Sequence, residues 1–366
     1  MLERRRFLKR LSLLAAASGL TGTAAGQAAV ATSPASPATT SGGTDKSTGS
    51  GTASDRFGDL LPTRALGRTG EQVTALSVGG SHLENKVPRE RLEPLIEAII
   101  GEGVRFFDQA EAYGRGKSES LYGELLIPKY RDVIYLMTKT GAKDAAEARK
   151  DLDDSMRRMK VDVIDLMQIH ALQSADDVDG RLDNGVLDVL KEAQAAGKIR
   201  HLGFTGHSTP DAHVRMLERL EQMGTDLDAC QMPVNVVDPH HASFIDRVMP
   251  TLLDRGYGVL AMKTLAYGQL FGKITGWANR PDTPPPAVIP DTLSVSEALS
   301  FVWSLPVASL VSGITNTDEL EQNANILRRV ASGERAMNDD DRLALLDKTA
   351  YAAGEGMEFY KQVGVP

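Results

Sequence analysis

From residue 61 onward the chain repeats one pattern eight times, a short apolar run followed by an amphipathic stretch. The runs are ALSVGG (75–80), VRFFD (104–108), VIYLMTK (133–139), VIDLMQIH (163–170), RHLGFTG (200–206), ACQMPVN (229–235), YGVLAMK (257–263) and ASLVSGI (308–314). Near-continuous apolar runs of this length suit strands buried on both faces. The stretches between them, such as PRERLEPLIEAIIGEG and AAEARKDLDDSMRRMK, carry apolar residues near helical spacing. Strict alternation of the two predicts βαβ units and a parallel sheet. Eight such pairs fit a closed (β/α)8 TIM barrel. The alternative, a doubly wound open sheet, carries a G-x-G-x-x-G turn after its first strand, and SVGGSHLEN does not supply one.

Ahead of the first run, TRALGRTGEQVTAL reads as an N-terminal β-hairpin with RTGEQ at its turn, placed to plug the barrel's bottom. The seventh run is followed by TLAYGQLFGKITGWANRPDTPPPAVIPDTLS, whose proline cluster excludes regular structure. A long loop there is a candidate substrate lid, with pocket walls from Tyr267 through Ile289. The barrel is expected over 59–335 and a C-terminal tail of one or two helices over 336–366.

The first residues follow a different logic. ERRRFLKRLSLLAAASGLTG is a basic segment followed by a short apolar one, too short and too weakly apolar to span a membrane. Arg4, Arg5, Phe7, Leu8 and Lys9 resemble the twin-arginine export signal, which directs folded proteins across the cytoplasmic membrane. The apolar stretch ends in Ala29–Val30–Ala31, a plausible cleavage site, so 1–31 reads as a signal peptide. That resemblance implies the export machinery as a partner, a periplasmic or extracytoplasmic location, and no stable membrane span after processing. Residues 32–58 read as a flexible linker. Their first part, TSPASPATTSGGTDKSTGSGTASD, has no aromatic, Val, Ile, Leu or Met with which to offset ordering entropy.

A single cysteine, Cys230, excludes an intrachain disulfide framework and any CxxC-based zinc or iron–sulfur site, and it fits folding before export. The net charge of -8, with no basic stripe in the body of the chain, argues against nucleic acid as a partner.

In a barrel of this kind reactive groups stand where strands end, on the C-terminal face. Reading those ends in order gives Asp108, then Tyr113 in the following loop, then Lys139 and His170. Taken singly, these are a turn cap, a surface aromatic, a solvated lysine and a core histidine. Together they make an acid–base set. A free tyrosine, with a pKa of ~10, is a poor proton donor or acceptor near neutrality. A neighbouring ammonium is expected to lower that pKa, and a carboxylate to hold the ammonium in place.

These residues lie in stretches that together resemble the aldo-keto reductase family: LGRTGEQVTALSVGG, FFDQAEAYGRGKSESLYGELL, MTKT, DVIDLMQIH, GKIRHLGFTG, QMPVN and SGITNTDELEQN, spread over nearly all of 62–330. The resemblance implies NAD(P)-dependent hydride transfer between a nicotinamide and a carbonyl or alcohol, with an aldehyde, ketone or sugar as the small-molecule substrate. Tyr113 would be the general acid/base, Lys139 its tuning charge, Asp108 the orienter of Lys139, and His170 a partner of the substrate oxygen.

The resemblance also assigns a cofactor surface. Thr205 and Gln231 would face the nicotinamide amide, and Lys263 the pyrophosphate. Ser312, Gly313 and Thr315 would line the adenosine phosphate, and Gln322 and Asn323 would hold the adenine. Where the family usually has Asn, this chain has Gly206 followed by His207, so His207 either supplies the amide contact or faces solvent. Gly313 and Glu319 stand where NADP-preferring relatives carry Lys or Arg. A carboxylate repels a 2′-phosphate and accepts from a ribose hydroxyl, so the pattern favours NAD(H) over NADP(H), unless Arg328 or Arg329 reaches back. A tail such as 336–366 can border the substrate pocket in the family, but packing on the barrel's outside is the expectation here.

Two other classes compete. One is a nucleotide-binding, redox-sensing or regulatory barrel with little turnover, against which the full set of four residues weighs. The other is a metal-dependent hydrolase using His170, His207, His240 and His241. Adjacent residues such as His240 and His241 do not share a face of a regular element, and no metal is expected.

Overall fold

A computed structural model of the chain describes residues 53–271 and 292–364. The expected leader at 1–31, the linker up to residue 52 and the lid residues 272–291 lie outside the described residues. Four short strands come first. β1 (Ser54–Asp55) and β2 (Gly58–Asp59) pair as an antiparallel ribbon, and β3 (Thr63–Ala65) and β4 (Gln72–Thr74) form the expected hairpin. Then come β5 (Leu76–Gly79), β6 (Phe106–Asp108), β7 (Tyr135–Thr140), β8 (Ile164–Ile169), β9 (Ile199–Thr205), β10 (Ala229–Pro233), β11 (Gly258–Met262) and β12 (Ser309–Ser312). These eight are parallel in sequential order, and β12 pairs with β5 to close a TIM barrel. Each coincides with one of the eight apolar runs, β7 and β9 extending one residue beyond theirs.

Helices return the chain between strands, and their sequences show why. In Ala145–Met159 the N-cap Asp144 accepts from the amides of Ala146 and Glu147, and Ala148, Leu152, Ser155 and Met159 form the buried stripe. Lys160, in left-handed conformation, ends the helix.

The barrel interior is layered. Phe106, Met137, Leu166, Ala229 and Leu260 point inward and pack with Leu66 and Val73 of the hairpin region. The hairpin therefore plugs the bottom. Its turn docks where the strands begin, with the Arg68 amide donating to Gly256 O at 2.8 Å. A Cβ at Gly67 would come within 2.3 Å of the Gly258 nitrogen, so only glycine allows that approach. Because side chains alternate along a strand, the residues two positions further on also point inward, one layer higher. They are Asp108, Lys139, Gln168 and Gln231, all buried, and the partly exposed Met262.

Two expectations are corrected. Residues 53–58, assigned by composition to the linker, are instead paired in the β1–β2 ribbon, because Asp55 grips Arg105 at the barrel's bottom. Arg105 donates to Asp55 from Nε at 2.6 Å and from Nη2 at 2.9 Å, and its Nη1 reaches Ile100 O at 2.6 Å. The C-terminal tail, expected on the outside, leaves its helix Asp339–Thr349 and crosses the C-terminal face instead. There the ammonium of Lys361 is buried between Asp238, at 2.6 Å, and Glu358, at 3.0 Å. Among the described residues no helix is long and apolar enough to cross a membrane.

The Arg105 bond is the largest influence on Asp55 and holds its carboxyl below the ordinary carboxylate range. Asp55→Asn should cost about 1–3 kcal/mol in urea unfolding at neutral pH. A depressed folded pKa gives stability that is present above the unfolded value of about 3.9 and lost as pH falls through the folded one. The difference between wild type and variant should therefore shrink below about pH 4.

Candidate active site

The site is assembled around one buried ammonium. Lys139 stands at the upper end of β7 beside Asp108 of β6, with its side chain almost wholly out of solvent. Nζ ion-pairs with Asp108, donates to Gln109 O at 2.7 Å and reaches the Tyr113 hydroxyl at 3.1 Å. All three donors of the ammonium are thereby directed. Tyr113 follows β6 in a loop where its amide donates to Ala110 O at 3.1 Å, and Gly114 and Arg115 just after it have φ of 57° and 56°. The phenol is thereby placed beside Lys139 at the strand ends. His170 comes from β8, and its ring stands edge-on to Tyr113 with centroids 6.0 Å apart. The structure thus brings Asp108, Tyr113, Lys139 and His170 to one place.

The protonation of Tyr113 departs from expectation. Its pKa is raised well above 10, first by burial and then by the charges of Asp108 and Glu111. Lys139 does not reverse this, because Asp108 faces the same ammonium and offsets its field at the phenol. Tyr113 is therefore held as a neutral phenol, ready to donate a proton, with the ammonium in place to stabilise the charge once the proton has left. Burial also lowers the His170 pKa, with Glu111 opposing it, so the ring is neutral at pH 7. Glu111, which the sequence reading passed over, lies with its Oε2 3.7 Å from His170 Nδ1.

Most of the expected cofactor residues stand at or beyond the upper parts of β9 to β12. Gln168 Nε2 donates to Gln231 Oε1 at 3.1 Å, and Gln168 Oε1 is buried with no hydrogen-bond partner. Gln168 is a second residue missed, hidden in an apolar run. Thr205 ends β9 and is buried. A Cβ at Gly206 would lie 2.7 Å from Leu172 O, so no side chain fits at that position. His207 does not face solvent. It is buried under the tail with Nδ1 2.9 Å from Tyr360 O, and burial lowers its pKa to about 3. Lys263, at φ 56°, lies 2.5 Å from the Tyr267 hydroxyl and over that ring.

Beyond β12, Asn323 donates to Ser312 Oγ at 2.9 Å. Glu319 folds back to accept from both the amide and the hydroxyl of Thr315 at 2.8 Å. Gly313 faces the ring of His82, which a Cβ would meet at 2.6 Å. Gln322 lines a cleft of about 360 Å³ beside Asn325 and Ser294, away from the Lys139 cluster. Arg328 pairs with Glu102 and Arg329 with Glu334, so neither is turned toward Glu319. An unpartnered buried amide oxygen and a glycine at a close approach fit the polar groups of a dinucleotide.

The histidines of the hydrolase alternative do not converge. His207 is tied to Tyr360, and His240 Nε2 lies 3.0 Å from Leu346 O. Among the described residues no three His, Cys, Asp or Glu are grouped to hold a metal.

Residues 75–338 match a family model described as "Aldo/keto reductase family". The chain is 26% identical over 307 residues to an L-galactose dehydrogenase of Arabidopsis thaliana, a match covering 74% of this chain and 90% of the relative. It is 36% identical over 158 residues to a 6-dehydroglucose reductase of Novosphingobium aromaticivorans, covering 39% of this chain and 50% of the relative. Among solved structures, the holo form of aldo-keto reductase AKR11C1 from Bacillus halodurans superposes with a TM-score of 0.65 at 20% identity, covering 81% of this chain and 99% of that one.

An ultraviolet difference titration of wild type against Tyr113→Phe checks the protonation of Tyr113. It should show no phenolate from this residue below about pH 10. A phenolate near neutrality would restore the expectation drawn from the sequence.

Proposed function

This chain belongs to the aldo/keto reductase family and is an NAD(P)-dependent oxidoreductase, and we propose that Tyr113 is its general acid/base, working with Lys139, Asp108 and His170. The observation that carries the reading is the position of Lys139 Nζ, shared between Asp108, Gln109 O and the Tyr113 hydroxyl. The chemistry a bound nicotinamide supplies is hydride transfer to a carbonyl carbon or from an alcohol carbon. In reduction Tyr113 gives its hydroxyl proton to the forming alkoxide, and Lys139 stabilises the resulting phenolate until solvent returns a proton. In oxidation the same atoms run in reverse, and Tyr113 takes the hydroxyl proton. His170 hydrogen-bonds the substrate oxygen and fixes it near Tyr113. Asp108 keeps the ammonium where the phenolate forms.

Thr205, Gln168 and Gln231 would meet the nicotinamide amide, and Lys263, Ser312, Gly313 and Thr315 the phosphates. Gln322 and Asn323 would meet the adenine. NAD is the proposed cofactor, because Glu319 presents a carboxylate where a 2′-phosphate would lie and the nearest arginines are paired elsewhere. The proposed substrate class is a polyhydroxylated carbonyl or alcohol. Similarity to an L-galactose dehydrogenase and a 6-dehydroglucose reductase supports it.

The leader motif at Arg4–Lys9 supports export by the twin-arginine route to the periplasm or beyond. The chain would fold around its cofactor in the cytoplasm, leave with it, and recycle it with a second substrate. The β1–β2 ribbon, near the start of the described residues, lies at the end of the barrel away from the site.

Protein purified without added nucleotide should carry NAD(H), detectable by absorbance and mass spectrometry. Rapid loss of nucleotide on dialysis, with one-way consumption of added cofactor, would count against retention. Tyr113→Phe should lower kcat/KM about 10²–10⁴-fold with cofactor binding unchanged. Glu319→Gln should raise affinity for NADP relative to NAD about tenfold by removing a like charge. No change in that ratio would remove the case for NAD.

A further inference from the structure

Glu111 is fastened at one oxygen and unfastened at the other. Oε1 accepts from the Gly141 amide at 2.8 Å, an approach that leaves no room for a side chain at residue 141, where a Cβ would lie 2.9 Å from the same oxygen. Oε2 is buried, makes no hydrogen bond of its own and lies 3.7 Å from His170 Nδ1. The histidine is fixed as firmly. Its amide donates to Thr140 O at 2.8 Å, its carbonyl accepts from Arg181 at 2.7 Å, and Ala171 after it is held at φ 51°. A fixed carboxylate therefore faces one ring nitrogen of a fixed histidine.

We propose that Glu111 is a positioning residue that sets the tautomer of His170, keeping the ring proton on Nδ1 and leaving Nε2 as a hydrogen-bond acceptor toward the substrate. A carboxylate is acceptor-only, so the nitrogen facing it is the one that carries hydrogen. The neutral ring then has a bare Nε2, which accepts from a substrate hydroxyl and cannot donate to a carbonyl oxygen. A proton taken up from solution adds N–H at Nε2 and reverses that polarity. The site binds an alcohol through neutral His170 and a carbonyl better through the imidazolium.

The other charges facing the ring are Lys139, which disfavours the imidazolium, and Asp108, which favours it. Glu111 itself is held ionised, below its ordinary pKa despite burial, by His170 and by the amides of Gly141 and Ala112, and Asp151 on the next helix shares its field. This inference rests on the proposed reading that His170 meets the substrate oxygen.

The test uses the full chain with NAD bound. Side-chain nitrogen shifts of ¹⁵N-labelled His170 in wild type should report hydrogen on Nδ1 at pH 8, and hydrogen on Nε2 alone would overturn the proposal without any variant. In Glu111→Gln the amide oxygen remains on the Gly141 N–H, so the NH₂ group faces Nδ1 and forces the proton to Nε2. The tautomer should invert, and an unchanged tautomer in a variant with wild-type circular dichroism would overturn the proposal. Glu111→Asp keeps an acceptor there and should retain the wild-type tautomer.

With 4-nitrobenzaldehyde as probe, KM in wild type should fall about tenfold as the pH is lowered from 8 until Nε2 gains a proton, below the ordinary imidazole value. In Glu111→Gln it should be low and flat over the same range, with kcat changed less than KM. A sloping profile in that variant would overturn the proposal. Should Tyr113→Phe keep full turnover, the catalytic reading fails, and the tautomer assignment stands on the nitrogen shifts alone.

Discussion

A buried ammonium leaves water only if every one of its protons finds an acceptor, and the top of this barrel is organised by that demand at Lys139. Asp108 supplies the charge, Gln109 a carbonyl and Tyr113 a hydroxyl. Each comes from a different backbone position, so the three converge only if β6 and β7 hold their register and the loop after β6 folds back. The closed ring of parallel strands fixes the first condition. The Tyr113 amide, which donates to Ala110 O, closes the turn that meets the second. Removing one acceptor would leave a charge in low dielectric, so the fold and the site are specified by the same contacts.

The same device recurs across the face. Lys361 is a second buried ammonium, shared between Asp238, Glu358 and His241 O, and it fastens the tail over the ends of β9 and β10. Asp238 in turn accepts from the amides of Phe244 and Ile245, which orders the loop after β10. Backbone strain gathers at this end as well. Of the non-glycine residues at positive φ, all but Lys160 lie in loops that follow barrel strands. Such conformations persist where their surroundings over-determine them, and two buried ion clusters with a docked tail supply that.

What the sequence made legible follows from which signals are local. Eight apolar runs announce eight strands because a parallel barrel strand is buried on both faces and needs no partner to be recognised. Asp108, Tyr113, Lys139 and His170 are legible for a related reason, since a polar residue at the end of such a run has one face on which to emerge. What stayed hidden depends on distant partners. Lys361 reads as a solvated terminal lysine until Asp238 is placed beside it, and Asp55 reads as linker until Arg105 is found beneath it. Gln168 is masked by the apolar residues on either side, and Glu111 by the aromatic motif that surrounds it. The direction of the Tyr113 shift was missed because a pairwise argument weighed Lys139 alone, while burial and Asp108 act on the same proton.

The layout divides the barrel top into two chemical halves. Strands β6 to β8 carry the groups proposed to handle protons, and β9 to β12 carry the amides, hydroxyls and helix N-terminus proposed to hold a dinucleotide. The hydrogen bond from Gln168 of β8 to Gln231 of β10 crosses the interior between them. Gln168 also lies in register with Lys139, so a single β7–β8 pairing separates the amide pair from the ammonium that organises the acid–base set. The unpartnered oxygen of Gln168 stands at that crossing, where the two halves meet.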